Sequence, residues 1–197
     1  GGAGTPVLLA GGAALSASSF DNTGAAARFG VPHGIVTDSL GNAYVADGIN
    51  KSIRKITPAG VVTTFAGPDY VACGGDTFAG SQCPIGDTDG AGAAARFRNP
   101  YNLAIDTAGN LYVGDVGRIR KVTPAGVVSA LAGPNAASWA ASPLGNGLSG
   151  YTDGTGSAAR FDNAVSGLGL ATDSLGNVYA ADTFNDIIRK ITPAGVV

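Results

Sequence analysis

Short apolar runs alternate with turn sequences rich in Gly, Pro, Asn and Asp along most of the chain. In the first third of the chain, four such runs cover residues 34–38, 43–47, 52–57 and 61–66. Asp-Ser-Leu-Gly-Asn follows the first run and Pro-Ala-Gly follows the third, and both are typical turn sequences. The pattern therefore predicts four short β-strands joined by tight turns.

The same four-strand pattern occurs three times. Thr-Pro-Ala-Gly-Val-Val stands at 57–62, 123–128 and 192–197, each time after Ile-Arg-Lys-Ile or Ile-Arg-Lys-Val. A Gly-Asn-x-Tyr-x-x-Asp segment and an Ala-Arg-Phe segment lie upstream of every copy, and the Phe recurs after 68 and then 64 residues. Four strands repeated at this period predict an all-β fold, a β-propeller with three four-stranded blades in this chain.

The repeats divide the chain, 1–197, into the parts of one partial propeller. Blades 1, 2 and 3 are expected at residues 24–67, 92–133 and 156–197, with inserts at 68–91 and 134–155. Residues 4–11 match the fourth strand of blades 1 and 2, so we expect them to complete a neighbouring blade or the last one. Because propellers usually have about four to eight blades, three blades predict half of a six-bladed ring or part of a longer chain. The open blade ends are expected to bind a second copy or another protein subunit.

The repeated text resembles a known family. Ala-Ala-Arg-Phe, Asp-Ser-x-Gly-Asn-x-Tyr-x-Ala-Asp and Ile-Arg-Lys-Ile-Thr-Pro-Ala-Gly-Val-Val are similar to the repeats of NHL-repeat β-propellers, especially those of bacterial secreted or surface proteins. The resemblance covers nearly the whole chain apart from the two inserts. Members of that family include extracellular lyases, sensor domains of membrane kinases and RNA-binding modules, so the resemblance predicts the fold and leaves the activity open.

Composition and charge narrow the function classes. All 14 acidic residues are Asp, and the chain has no Glu and no Met, which disfavours a mainly helical protein. The net charge is −2 and the pI about 5.1, whereas nucleic-acid binding needs a basic face. No apolar run approaches the length of about 18 residues that a membrane span needs. With 45% hydrophobic and 13% charged residues, the chain is expected to fold.

The two cysteines, Cys73 and Cys83, lie in the first insert among Gly, Asp and Ser residues. A disulfide between them is the favoured prediction, which suits an extracellular or periplasmic location, including the cell surface. The alternative is a pair of free thiols in a cytosolic protein.

Residues that recur in every blade are expected to have structural roles. Asp at the end of each second strand is expected to accept hydrogen bonds, the Arg of Ile-Arg-Lys to pair with it, and the Phe of Ala-Arg-Phe to wedge into the core. These residues are Asp47, Asp115 and Asp182, Arg54, Arg120 and Arg189, and Phe29, Phe97 and Phe161.

Residues that differ between blades are the candidates for binding. The loops between strands two and three, and the inserts between blades, belong to one face of a propeller, and variable loops on a rigid scaffold commonly carry function. His33, the only histidine, is expected at the mouth of the central channel, as a ligand contact or simply as a polar lining residue. The full set of binding candidates is His33, Tyr101 and Ser166 at the channel, and Tyr70, Trp139 and Tyr151 in the inserts.

Asp87-Thr88-Asp89-Gly90 has the alternating carboxylates of a calcium loop. Asp-Gly is equally common in ordinary turns, and the bidentate Glu that an EF-hand loop needs has no counterpart in this chain. We therefore expect no cofactor, with calcium at Asp87 and Asp89 as the alternative.

Two functions from different classes remain. The leading hypothesis is a non-enzymatic extracellular propeller that acts as a protein-binding platform or as a subunit of a larger surface assembly. The alternative is a metal-dependent propeller enzyme, similar to lyases or lactonases, with its site at the central channel near His33. No catalytic residue is assigned, because His33 is the single imidazole and no Ser has the context of a nucleophile.

Overall fold

The computed structural model describes residues 8–12, 20–68, 85–135, 137–138, 148–162 and 168–197. They form three antiparallel sheets. The first contains β1 (Asn22–Thr23), β2 (Pro32–Thr37), β3 (Ala43–Asp47), β4 (Ser52–Ile56) and β5 (Val61–Ala66). The second contains β6 (Gly90–Ala91), β7 (Pro100–Ile105), β8 (Leu111–Asp115), β9 (Ile119–Val122) and β10 (Val127–Ala132). The third contains β11 (Gly169–Thr172), β12 (Val178–Asp182) and β13 (Ile187–Ile191).

Each complete sheet is a meander of four strands in chain order, with its first strand innermost and its fourth strand near the outside. This arrangement confirms the predicted all-β propeller blade. The sequence did not predict β1 and β6, which pair with the outer side of β5 and β10. In the third sheet an isolated bridge between Thr155 and Val196 takes the corresponding place.

The turn between the first two strands is built by one aspartate. Asp38 Oδ1 accepts the backbone N–H groups of Leu40 and Asn42 at 3.0 and 2.8 Å, and Oδ2 accepts Asn42 Nδ2 at 2.8 Å. Gly41 adopts φ +80°, which its missing side chain permits. Asp106 and Asp173 build the same turn in blades 2 and 3. Hydrogen bonds from the adjacent Asn, above all from its side chain, lower the pKa of Asp38 and of Asp173.

The hydrophobic core lies between the blades. One cluster joins Tyr44, Ile53 and other residues of blade 1 to Phe97 and neighbouring residues of blade 2. A second cluster joins blade 2 to blade 3 in the same way and includes the fully buried Phe161. The described part of the chain contains no helix with the length and hydropathy of a transmembrane span.

Candidate functional site: the loop face where blades 1 and 2 meet

In blade 1, the second strand ends in a buried carboxylate, that of Asp47. Its Oδ1 accepts the backbone N–H of Gly30 at 2.8 Å, and its Oδ2 accepts Asn50 Nδ2 at 2.8 Å. Arg54 Nη1 lies 3.2 Å from the same Oδ2. Burial raises the pKa of Asp47, while the hydrogen bond from Asn50 and the charge of Arg54 oppose that shift.

The buried guanidinium of Arg54 connects several parts of its blade. Nη1 donates to the carbonyl of Arg28 at 2.9 Å and Nη2 to Asp21 at 2.6 Å, while the group lies 5.2 Å from the ring centre of Phe29. Arg120 repeats this in blade 2 with Asp89 and Phe97, and Arg189 in blade 3 with Asp153 and Phe161. Their separations from Asp115 and Asp182 are 3.8 and 3.6 Å. The recurring Asp, Arg and Phe residues are thus all engaged in contacts within the blades.

His33 and Tyr101, which the sequence placed at the channel mouth, come together. His33 lies on β2 and Tyr101 on β7, the innermost strands of blades 1 and 2. Their rings stack, with centroids 4.0 Å apart and planes inclined by 26°. The position of the His33 ring requires a glycine at residue 48, because a Cβ there would lie 2.8 Å from His33 Cδ2. Ser166, the third candidate at the channel, lies outside the described residues.

Lys51, which the sequence analysis did not single out, bridges blades 1 and 2 at the same end of their strands. Its Nζ donates to Asn99 Oδ1 at 3.2 Å, and its backbone has φ +55°. The side chain is half-buried, and this burial lowers the pKa of Lys51, although the charges of Asp115 and Asp47 oppose the shift. The sequence does mark Lys51 as a position that differs between blades, because blade 3 has Asp186 at the corresponding loop position.

Blade 2 carries a further ionic cluster on the same face. Asp87 is nearly buried and accepts Arg98 Nε on Oδ1 at 2.9 Å and Arg98 Nη2 on Oδ2 at 3.0 Å. Arg118 also pairs with Asp87 and donates to Asp115 Oδ2 at 2.8 Å. Burial, followed by the positive charge of Arg118, lowers the pKa of the neighbouring Arg120.

This cluster bears on the calcium prediction. Asp89 pairs with Arg120 at 2.6 Å and also accepts the backbone N–H of Ala130 at 3.2 Å. A calcium ion at Asp87 and Asp89 would therefore compete with guanidinium groups for both carboxylates. Within the described ranges, no three His, Cys or acidic side chains are grouped as metal ligands. Calcium binding stays a prediction.

The remaining candidates are separate from this region. Tyr151 is exposed and lines an open cleft of about 330 Å³ beside β13. Tyr70, Trp139, Cys73 and Cys83 lie outside the described residues, so the predicted disulfide stays a prediction.

Five residues at the meeting point of blades 1 and 2 define what we call the junction site. They are His33, Lys51, Arg98, Asn99 and Tyr101.

No family model matches the sequence. The chain is 29% identical over 168 residues to Protein SUPPRESSOR OF QUENCHING 1, chloroplastic, of Arabidopsis thaliana, an alignment covering 83% of this chain and 14% of that protein. Among solved structures, a Bacteroides thetaiotaomicron protein of unknown function matches with TM-score 0.60 and 25% identity, covering 81% of this chain and 34% of that one. An auxiliary nutrient binding protein of the same species matches with TM-score 0.57 and 22% identity, covering 83% and 37%. The chain thus spans about a third of the length of these propeller-like structures, and the likeness confirms the β-propeller fold.

Proposed function

We propose that this chain belongs to a non-enzymatic, extracellular NHL-type β-propeller that binds another protein through the junction site. The observation that supports the proposal is that recurring residues and variable residues have different roles in this structure. Recurring Asp, Arg and Phe residues are held in scaffold contacts, whereas the His33–Tyr101 stack and Lys51 arise from positions that differ between blades. Variable side chains on a rigid frame are the usual arrangement of a binding surface.

The chemistry of the junction site favours a partner segment with acidic and aromatic side chains. The stacked rings offer an aromatic face that can stack with a further ring. Lys51 is half-buried on the same face, and Arg98, which pairs with Asp87, is partly exposed there. A carboxylate of the partner could therefore pair with a cation that water screens only in part. An acidic, aromatic-containing peptide segment of another protein meets both requirements.

Two further points support a binding role outside the cytosol. A structure with a similar fold is an auxiliary nutrient binding protein, so this architecture serves binding in at least one fold neighbour. The predicted Cys73–Cys83 disulfide suits an oxidising compartment.

Because His33 is the only imidazole, its ring resonances report on the junction site alone. We expect a synthetic peptide that alternates Asp and Tyr to shift these resonances in NMR titrations and to reach saturation. A peptide that alternates Lys and Ser should leave them in place.

Tyr101→Ala and Lys51→Gln should each weaken the response to the acidic peptide at least tenfold, whereas Tyr151→Ala, at an exposed tyrosine away from the site, should not. An unchanged response in Tyr101→Ala would overturn the assignment of the surface. If one equivalent of zinc or calcium shifted the His33 ring resonances to saturation, the result would instead favour the metal-dependent enzyme.

A further inference from the structure

The lysines of this chain occupy two kinds of surroundings. Three of the four stand at one position of the repeat, in the third strand of each blade. Each of these three ammonium groups lies over the ring of a tyrosine, with Nζ 5.7, 5.9 and 5.8 Å from the ring centre for Lys55, Lys121 and Lys190. A ring face attracts a cation, so these contacts favour the charged form of the amine.

The fourth lysine, Lys51, lies in the loop before β4 and has a neutral partner. Its Nζ donates to Asn99 Oδ1 at 3.2 Å. Among the residues that the structure describes, Lys51 forms neither an ion pair nor a contact with an aromatic ring face. Because the amine is half-buried, the loss of water lowers the pKa of Lys51. The neutral, nucleophilic form is therefore favoured at Lys51 relative to the other three lysines.

Two carboxylates near Lys51 oppose this effect of burial, those of Asp115 and Asp47. Both already accept hydrogen bonds from guanidinium groups, Asp115 from Arg118 at 2.8 Å and Asp47 from Arg54 at 3.2 Å. Their negative charges are thus largely compensated, which leaves burial as the dominant influence on the amine. The other titratable or charged side chains on the elements that meet here are His33, Asp87, Arg98, Tyr101 and Arg120.

The backbone on both sides of this contact is held in place. Lys51 has φ +55°, and its N–H donates to the carbonyl of Gly48 at 3.4 Å, which closes the loop. The Lys51 carbonyl packs so closely on Gly67 that a Cβ there would lie 2.5 Å from it. On the other blade, Asp115 Oδ1 accepts the N–H of Asn99 at 2.7 Å. The amine and its neutral partner are therefore positioned by the fold.

We propose that Lys51 is a modification site, acylated at Nζ by an activated acyl compound, and that this acylation abolishes binding at the junction site. The neutral Nζ attacks the carbonyl carbon of the donor and forms a C–N bond. The bond from that carbon to the leaving group breaks, and the leaving group departs with the electron pair. The proton lost from Nζ passes to the leaving group or to water, and the product is an amide.

The amide has no charge, so acylated Lys51 cannot pair with a carboxylate of the partner. The ammonium form of Lys51 binds the partner, and the smaller neutral fraction reacts with the donor. The loss of binding rests on the proposed function of the junction site. The reactivity of Lys51 rests only on its surroundings, so the two parts are measured separately.

Trace labelling with acetic anhydride over a range of pH tests the reactivity. Peptide mass mapping gives the acetylation rate of each lysine, and each rate is divided by its own plateau at high pH. We expect the rate at Lys51 to reach half its plateau at lower pH than the rates at Lys55, Lys121 and Lys190. This midpoint follows the neutral fraction of the amine and is independent of its accessibility. Coinciding profiles would overturn the proposal.

A matched pair of variants tests the neutral partner. Asn99→Asp places a carboxylate beside Lys51 Nζ, which favours the ammonium form, so the midpoint of Lys51 should move to higher pH. Asn22→Asp adds the same charge at an exposed position on β1 and should leave the midpoint in place. A midpoint that stays unchanged in Asn99→Asp would overturn the role assigned to the neutral partner.

The effect on binding is measured in a variant in which Lys55, Lys121 and Lys190 are replaced by Arg, so that Lys51 is the only lysine. After acetylation, the His33 response to the peptide that alternates Asp and Tyr should weaken at least tenfold, as in Lys51→Gln. Adding Lys51→Arg to the same variant controls for acetylation of the α-amino group.

Unchanged peptide binding after acetylation of Lys51 would overturn the loss of binding. If the chain does not bind the peptide before acetylation either, the proposed function fails, and the loss of binding that rests on it fails as well. The pH profiles still decide whether Lys51 is the reactive amine, because they need no partner.

Discussion

Blades 1 and 2 satisfy the same buried aspartate by different means. Asp47 of blade 1 accepts a hydrogen bond from the neutral amide of Asn50. Asp115 of blade 2 instead accepts one from a second guanidinium, that of Arg118. Blade 3 uses the amide solution, with Asn185 Nδ2 at 2.9 Å from Asp182. One position in the repeat can therefore be satisfied by a neutral or by a charged donor.

Loop length explains the choice. Blade 1 joins its second and third strands through residues 48–51, long enough to present Asn50, while blade 2 uses only residues 116–118. The last residue of this short loop is Arg118, directly before β9, and its long side chain reaches back to Asp115. A buried cation needs a compensating anion, and Asp87, itself held by Arg98, supplies it. A shorter loop has thus turned one neutral hydrogen bond into a charge network beside the junction site.

The largest expected effect comes from removing each aspartate. Asp115→Ala should lower the free energy of unfolding by about 3–5 kcal/mol, because it leaves a buried guanidinium with one fewer anion and frees two backbone N–H groups. Asp47→Ala should cost less, about 2–3 kcal/mol, since its loop donor is neutral and Arg54 keeps Asp21. Urea denaturation of both variants measures the difference. Equal losses, or a larger loss for Asp47→Ala, would contradict the comparison.

An intermediate effect is expected from the charge network itself. Asp87→Ala and Arg118→Met should each destabilise, but the double variant should cost about 1–3 kcal/mol less than their sum, because neither charge is left without the other. A double-mutant cycle in urea measures this coupling. Asp87→Ala combined with Asn50→Ala, in a different blade, is the control and should be additive. Additivity in the first pair would mean that Asp87 does not compensate Arg118.

The smallest effect concerns the backbone of the short loop. Val116 has φ +43°, which a β-branched side chain tolerates poorly. Val116→Asn should therefore raise the thermal midpoint, with a gain of about 0.5–1 kcal/mol, since Asn adopts this region more readily. Asp186→Asn in blade 3, at φ +56°, replaces one tolerant residue by another and should change little. A loss of stability in Val116→Asn would show that packing of the valine outweighs its strain.

Local features of this fold could be predicted from the chain, and long-range ones could not. The turn at Asp38 needs only neighbours within a few positions, so its sequence identifies it. The strand β1 was missed because two residues gain their partner only from β5, far along the chain. Lys51, Arg98 and Arg118 were missed for the same reason, since their roles depend on Asn99, Asp87 and Asp115 from other elements.

The sequence by itself determined the repeat, the antiparallel strands and the recurring Asp, Arg and Phe residues. Each copy of the repeat has the same hydrophobic spacing and the same turn residues. It also indicated His33 and Tyr101 as residues of one face, since the fold puts equivalent positions at the same end of each blade. Only the tertiary structure decided that their rings stack, that Lys51 bridges two blades and that Asp87 faces two guanidinium groups. These contacts form between sheets, where packing and charge compensation, rather than local propensity, select the partners.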